Sequence, residues 1–166
     1  MPSRRPLLTA LVTGLGLLAL TACEKPAPGA TVFSGSTSAH RKAICWSFDA
    51  TQPVEKGDCS LDLESQPAGD VAQTLLDEIA VIPTTGGENV GISVDASVAE
   101  NGWLVSINGR SLNRNPLTEK YFRFTVPPTV LRRGDAQLVI SALTEDGSQV
   151  RGTWLFGLSA TIDGGN

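Results

Sequence analysis

Residues 137–158 read QLVISALTEDGSQVRGTWLFGL, two apolar β-rich runs, Gln137 to Thr144 and Gln149 to Leu158, on either side of Glu145-Asp146-Gly147-Ser148. A short polar break carrying Gly between two such runs is the signature of a β-hairpin. Within the second run, side chains two apart share a face, so Val150, Trp154, Phe156 and Leu158 are expected to point together into a core. A hairpin with one such face needs a second layer to cover it.

The rest of the C-terminal half supplies that layer in the same style. From Glu78 onward short β-branched runs recur between Gly, Asn, Asp and Pro. Glu78 to Pro83 is one; Val90, Ile92 and Val94 share a face in the next; Trp103, Val105 and Ile107 share a face in a third. Asn108-Gly109 supplies the positive-φ pair of a tight hairpin turn, and Tyr121 to Val126 continues the series. Residues 75–162 are therefore expected to form an all-β, immunoglobulin-like antiparallel β-sandwich, with a small β-barrel as the alternative, and 163–166 a tail. Between two strands, Asp95 is expected to cap a single helical turn that Asn101 or Gly102 ends in a left-handed conformation.

Upstream the pattern is sparser. Thr31-Val32-Phe33 is a short strand, Ser34 to Ala39 a small polar loop, and His40 to Phe48 a second strand. Gln66 to Asp70 is a turn-rich break, and Val71 to Asp77 is a helical turn or irregular chain. Residues 31–74 are expected to be an N-terminal extension joined to the sandwich.

The start of the chain carries an export signal. Arg4 and Arg5 precede an uncharged Leu-rich run to Leu20, and Leu20-Thr21-Ala22-Cys23 reads as a lipobox. The apolar run is too short to cross a hydrocarbon core of about 30 Å, which takes about 20 helical residues. Residues 1–22 are thus expected to be removed as a lipoprotein signal peptide, leaving Cys23 to carry a diacylglyceryl group and, as its new amine allows, an N-acyl chain. Residues 23–30 form the lipidated Cys and a Pro-rich tether. Ser3-Arg4-Arg5-Pro6-Leu7-Leu8 is similar to a twin-arginine signal, but no basic residue follows the Leu pair and the unfolded export route is expected.

Processing leaves 144 of the 166 residues, and losing Arg4 and Arg5 leaves 11 basic against 17 acidic side chains, a net charge of −6. An acidic chain argues against nucleic acid, whose binding rests on cationic contacts to phosphate, and against a polybasic grip on anionic lipid. Once Cys23 is lipidated, Cys45 and Cys59 remain as an even pair in an oxidising compartment, and a disulfide is expected. Their spacing is too wide for a Cys-x-x-Cys couple, and His40 is the only histidine. Closing a loop of about 15 residues contributes roughly 3 kcal/mol, which suits a segment from Asp49 to Asp58 that has little apolar material.

Catalytic signatures are missing: no Gly-x-Ser-x-Gly elbow, no His-Glu-x-x-His, no phosphate-binding glycine loop. Only a carboxylate-based hydrolase, using residues such as Asp95, Glu100, Glu145 or Asp146, is left as an exception. Asp95 with Glu100 has no EF-hand spacing. Copper carriage needs clustered Met and His, and the processed chain has no Met. Pro83-Thr84-Thr85-Gly86 resembles the loop of chagasin-type cysteine-protease inhibitors, but Ile82 stands where that loop has Asn and the companion loops are missing, so a plain turn is expected. No catalytic residue, metal ligand or cofactor is expected beyond the lipid on Cys23.

Ala22-Cys23-Glu24-Lys25-Pro26, Ala30-Thr31-Val32, the two later cysteines, Val94-Asp95 ahead of Glu100-Asn101-Gly102-Trp103, Tyr121-Phe122-Arg123-Phe124 and Gly152-Thr153-Trp154-Leu155-Phe156 resemble a family of uncharacterised actinobacterial lipoproteins. The resemblance covers most of the processed chain except Gln52 to Gly87. It implies a place on the outer face of the plasma membrane of a high-GC Gram-positive cell, and no activity. The expected role is a non-catalytic protein-interaction module of the cell envelope, anchored by its lipid; the alternative is a module that binds a small ligand or cell-wall fragment. An exposed aromatic patch would favour the first, a concave cavity the second. Candidate contacts are Trp46, beside Cys45, and Arg132 with Arg133; the simpler roles are packing against the disulfide for the first and a solvated turn for the pair.

Overall fold

The computed structural model describes residues 25–59, 79–131 and 135–161. Among these residues ten strands lie in two sheets: β1 (Gly29–Ser34), β2 (Thr37–Lys42), β3 (Cys45–Trp46), β4 (Ala80–Thr84), β5 (Asn89–Val94), β6 (Trp103–Ile107), β7 (Arg110–Ser111), β8 (Tyr121–Thr125), β9 (Ala136–Leu143) and β10 (Val150–Ala160), with one α-helical turn, α1 (Ala96–Ala99), and a 3-10 turn at Lys56–Asp58. The four-stranded sheet runs β2-β1-β5-β8, antiparallel throughout. The six-stranded sheet runs β3-β10-β9-β6-β7, and β4 adds to β10 as the one parallel pair. The two sheets form a sandwich and do not close into a barrel.

The hairpin of residues 137–158 is the centre of the larger sheet. Trp154 stands opposite Ile140 and Phe156 opposite Leu138, while Val105 and Ile107 of β6 meet the same two β9 residues from the other side. Trp103, Trp154, Phe156, Ile140 and Leu138 are fully buried, each contributing roughly 1.5–3 kcal/mol or more by leaving water. Large residues face small ones at the wide end of the core: Gly152 pairs with Trp46 on one edge and Ala142 on the other, and Ala142 pairs with Trp103. The register slips between Val150 and Gly152, a bulge that leaves Val150 only half-buried and turns Arg151 inward.

The smaller sheet covers this face with Val32 of β1, Val90, Ile92 and Val94 of β5, and the half-buried Phe122 and Phe124 of β8. Residues 31–46, expected in an extension, are not an appendage. β1 lies between β2 and β5, and β3 extends the larger sheet beside β10, so residues 29–46 build the sandwich itself. The loop expected over Ser34 to Ala39 shrinks to a two-residue turn at Gly35-Ser36, with Gly35 at φ 54°. The expected break Gln66 to Asp70 and the segment Val71 to Asp77 lie outside the described residues. Asn108 and Gly109 adopt φ 48° and 74°, the twist that a two-residue hairpin requires.

Candidate interaction surface

β1, β2, β5 and β8 turn alternate side chains away from the core, and register places them in rows. His40, Thr31, Ser93 and Tyr121 form one row; Ser38, Phe33, Gly91 and Arg123 form the next. Gly91 is what shapes this face. The Phe33 ring leans across it so closely that a Cβ at Gly91 would overlap Cε2 and Cζ of the ring. Tyr121 lies beside that ring, centroids 5.9 Å apart and planes within 17° of parallel. Phe33 is half-buried and Tyr121 is 50% exposed. The same device recurs at Gly29, which the His40 ring covers; His40 Nδ1 meets Thr31 Oγ1 at 3.0 Å. The surface is therefore a flat strip of rings bordered by hydroxyls.

Its charge is opposite to that of the chain. No described strand contains Asp or Glu, and on this outer face register places the exposed cations Arg123 of β8, beside Gly91, and Lys42 of β2, beside Gly29, whereas Arg41 stands in the row of the buried Ala30 and turns to the other side. Arg123 has no ion-pair partner among the described residues. The chain as a whole has 17 acidic and 13 basic residues, so the cationic strip is local.

Trp46 is not part of an exposed surface. Only 5% of it is accessible: its ring lies over Gly152, contacts Trp154 at 5.8 Å between centroids, and is covered by the Arg151 guanidinium 4.2 Å from its centroid. The bulge at Val150–Gly152 turns Arg151 in to make that cation–π contact. Arg151 Nε has no hydrogen-bond partner among the described residues, and burial pulls the guanidinium below its ordinary pKa, opposed by the fields of Glu100 and Asp49. The exposed aromatic of this corner is Phe48, at 54%. Cys45 and Cys59 are joined by a disulfide. Cys23, Arg132 and Arg133 lie outside the described residues.

The acidic candidates hold turns together. Asp95 does not cap α1 with its side chain; its Oδ2 instead accepts a hydrogen bond of 2.7 Å from Gly29 N, tying the start of β1 to the end of β5. Gly102, at φ 87°, provides the left-handed turn after α1. Asp146 accepts from the Thr144 and Ser148 hydroxyls and from Ser148 N, which hold its carboxyl at about 2. Glu88 is lowered by Thr85 N–H and then by the Ser34 hydroxyl, closing the turn from Thr85 to Glu88; of the plain turn expected over Pro83-Thr84-Thr85-Gly86, Pro83 and Thr84 instead end β4, paired with Ser159 and Ala160. Asp49 is lowered by Thr51 N–H and then its hydroxyl. Among the described residues no group of three or more His, Cys, Asp or Glu is placed to hold a metal, and no helix is long and apolar enough to cross a membrane. Open depressions of about 400 Å³ beside Asn108, Arg110 and Asp135 and about 360 Å³ beside Thr51, Glu145 and Asp146 have no aromatic ring among their described lining residues.

Phe33, Tyr121 and Arg123 do not stand out as contacts in the sequence. The available signal is Gly91, a glycine inside a run of β-branched residues, which marks close approach of another group. No family model matches the chain, and no curated protein matches it. Among solved structures, the fibronectin(III)-like modules of Clostridium thermocellum CbhA are similar over 51% of this chain and 87% of theirs, at 11% identity and a TM-score of 0.35.

Proposed function

We propose that this chain is a lipid-anchored, non-catalytic interaction module of the cell envelope, tethered through Cys23 on the outer face of the plasma membrane as in the actinobacterial lipoproteins it resembles. It engages another envelope component through the outer face of the β2-β1-β5-β8 sheet. The observation that carries this reading is the half-exposed Tyr121, stacked on Phe33 beside an exposed Arg123 that has no ion-pair partner among the described residues. Exposed aromatics and arginine are the residues on which recognition energy concentrates. A flat strip offers little to a small soluble ligand, which needs to be enclosed, and suits an extended or macromolecular partner.

The test places a photo-reactive amino acid at position 121 of the lipidated protein in intact cells, with the same residue at exposed Thr118 on the neighbouring loop as a control. An adduct of defined mass formed from position 121 and not from 118 is expected. Equal labelling from both positions, or none from either, would remove the sheet face as the recognition surface.

A further inference from the structure

We infer that the component bound by this face is an anionic polysaccharide chain, with a sugar ring laid on the Phe33–Tyr121 pair and its acidic group on Arg123; this rests on the reading of the sheet face as the recognition surface. Size is the first reason. A stable protein interface buries about 800 Å² on each partner around a packed apolar centre. Here the apolar part consists of two rings, one half-buried and the other 50% exposed, and polar side chains surround it. Two rings make a small centre for a protein partner, but they match the footprint of one or two pyranose units.

Shape is the second. One face of a pyranose ring presents C–H groups, which pack on aromatic faces through the same dispersion and quadrupole terms that bring aromatic pairs together. Phe33 packs across Gly91 and Tyr121 lies beside it within 17° of parallel, so the two rings form one continuous patch of aromatic surface. Thr31, Ser38 and Ser93 stand in the same two rows, within reach of sugar hydroxyls.

Charge is the third, and it selects among sugars. Neutral glycans gain nothing from Arg123 and Lys42, the cations of this face. A chain with carboxylate or phosphate groups gains a charge-assisted bond at Arg123 and a favourable local field from β2, while the acidic remainder of the molecule repels it and thereby orients it onto this face.

Affinity electrophoresis of the purified full mature chain tests this at about 150 mM salt, using polygalacturonate and a phosphodiester-linked hexose polymer as the anionic probes and pullulan as the neutral one. Retardation by at least one anionic probe and none by pullulan is expected, with both Tyr121→Ala and Arg123→Gln weakening it by about tenfold or more while thermal unfolding stays close to that of the parent. Retardation by polygalacturonate alone would identify a carboxylate glycan, by the phosphate polymer alone a phosphate one. Retardation that Tyr121→Ala leaves unchanged would show attraction to charge without stacking and overturn the inference. No retardation by either anionic probe would overturn it too; the adduct at position 121 then distinguishes a protein partner, which leaves the face as a recognition surface, from no partner at all.

Discussion

Gly91 and Gly152 pose one steric problem with two outcomes. At each, a Cβ would overlap an aromatic ring, of Phe33 in the first case and of Trp46 in the second. Phe33 lies on an outer face and can swing toward solvent; Trp46 is 5% exposed, enclosed by Trp154 and the Arg151 guanidinium. Gly91→Ala is therefore expected to leave stability within about 1 kcal/mol, since Ala in place of Gly recovers backbone entropy, while it separates the two rings. Loss of the ring-current shift of the Tyr121 aromatic protons in an NMR spectrum checks the separation. Gly152→Ala has no such exit and is expected to cost about 1–3 kcal/mol by overpacking, read by denaturant unfolding. If Gly152→Ala proved neutral, the Trp46 site would be looser than its burial states.

At the scale of elements, the β9–β10 hairpin was legible because all its information is local: alternation, a polar four-residue break and a face of Trp154, Phe156 and Leu158. Its turn makes a prediction of its own. Asp146 is held at about 2 in the fold by Thr144 and Ser148, below the ordinary 3.8, so the unfolded chain takes up a proton first as pH falls. The stabilisation is complete above about pH 4 and is lost toward pH 2. Asp146→Ala should lower the unfolding midpoint at pH 7, and the gap to the parent should shrink across that window; a gap that persists at pH 2 would place the effect elsewhere than in the ionised carboxylate. The far edge of β10 was not legible. β3 is two residues long and β4 joins β10 in parallel, a pairing fixed by contacts distant in sequence. β2, with the sequence TSAHRK, lacks an apolar face because it is an edge strand, and so read partly as loop. The disulfide supports the weakest of these pieces. Replacing Cys45 and Cys59 by Ala is expected to cost about 3 kcal/mol for a loop of this length, and the Ile44 and Ser47 amides, bonded to Thr153 O and Arg151 O, should lose hydrogen-exchange protection before those of β9.

For the whole molecule, the two kinds of information in the sequence meet at Gly29. Sequence alone pointed to an anchor at Cys23 and to a sandwich further on, but the contact face stayed hidden because it depends on register: Phe33, Gly91 and Tyr121 are 88 residues apart from first to last and become neighbours only when β1, β5 and β8 pair. The described chain is fixed from Pro28 onward, where its carbonyl accepts from Trp154 Nε1 and Ala43 N and Gly29 N bonds Asp95. Five residues, 24 to 28, separate Cys23 from Gly29, a span of no more than about 22 Å when extended. A lipid on Cys23 would therefore hold the sandwich within one domain diameter of the bilayer. Holding it there falls to the acyl chains, since each buried methylene contributes about 0.8 kcal/mol and one chain alone binds reversibly, while the net acidic polypeptide has no general attraction to anionic headgroups. Cys23→Ala is accordingly expected to move the protein from the membrane pellet to the soluble fraction almost completely, with Tyr121→Ala leaving it in the pellet. Fractionation of cells expressing each form, with labelling by an alkyne fatty acid as the second readout, checks both. Membrane retention of the Cys23→Ala form would mean that something other than the lipid holds the protein at the surface, and the anionic polysaccharide proposed for the sheet face would be the first alternative to test, by combining the two substitutions.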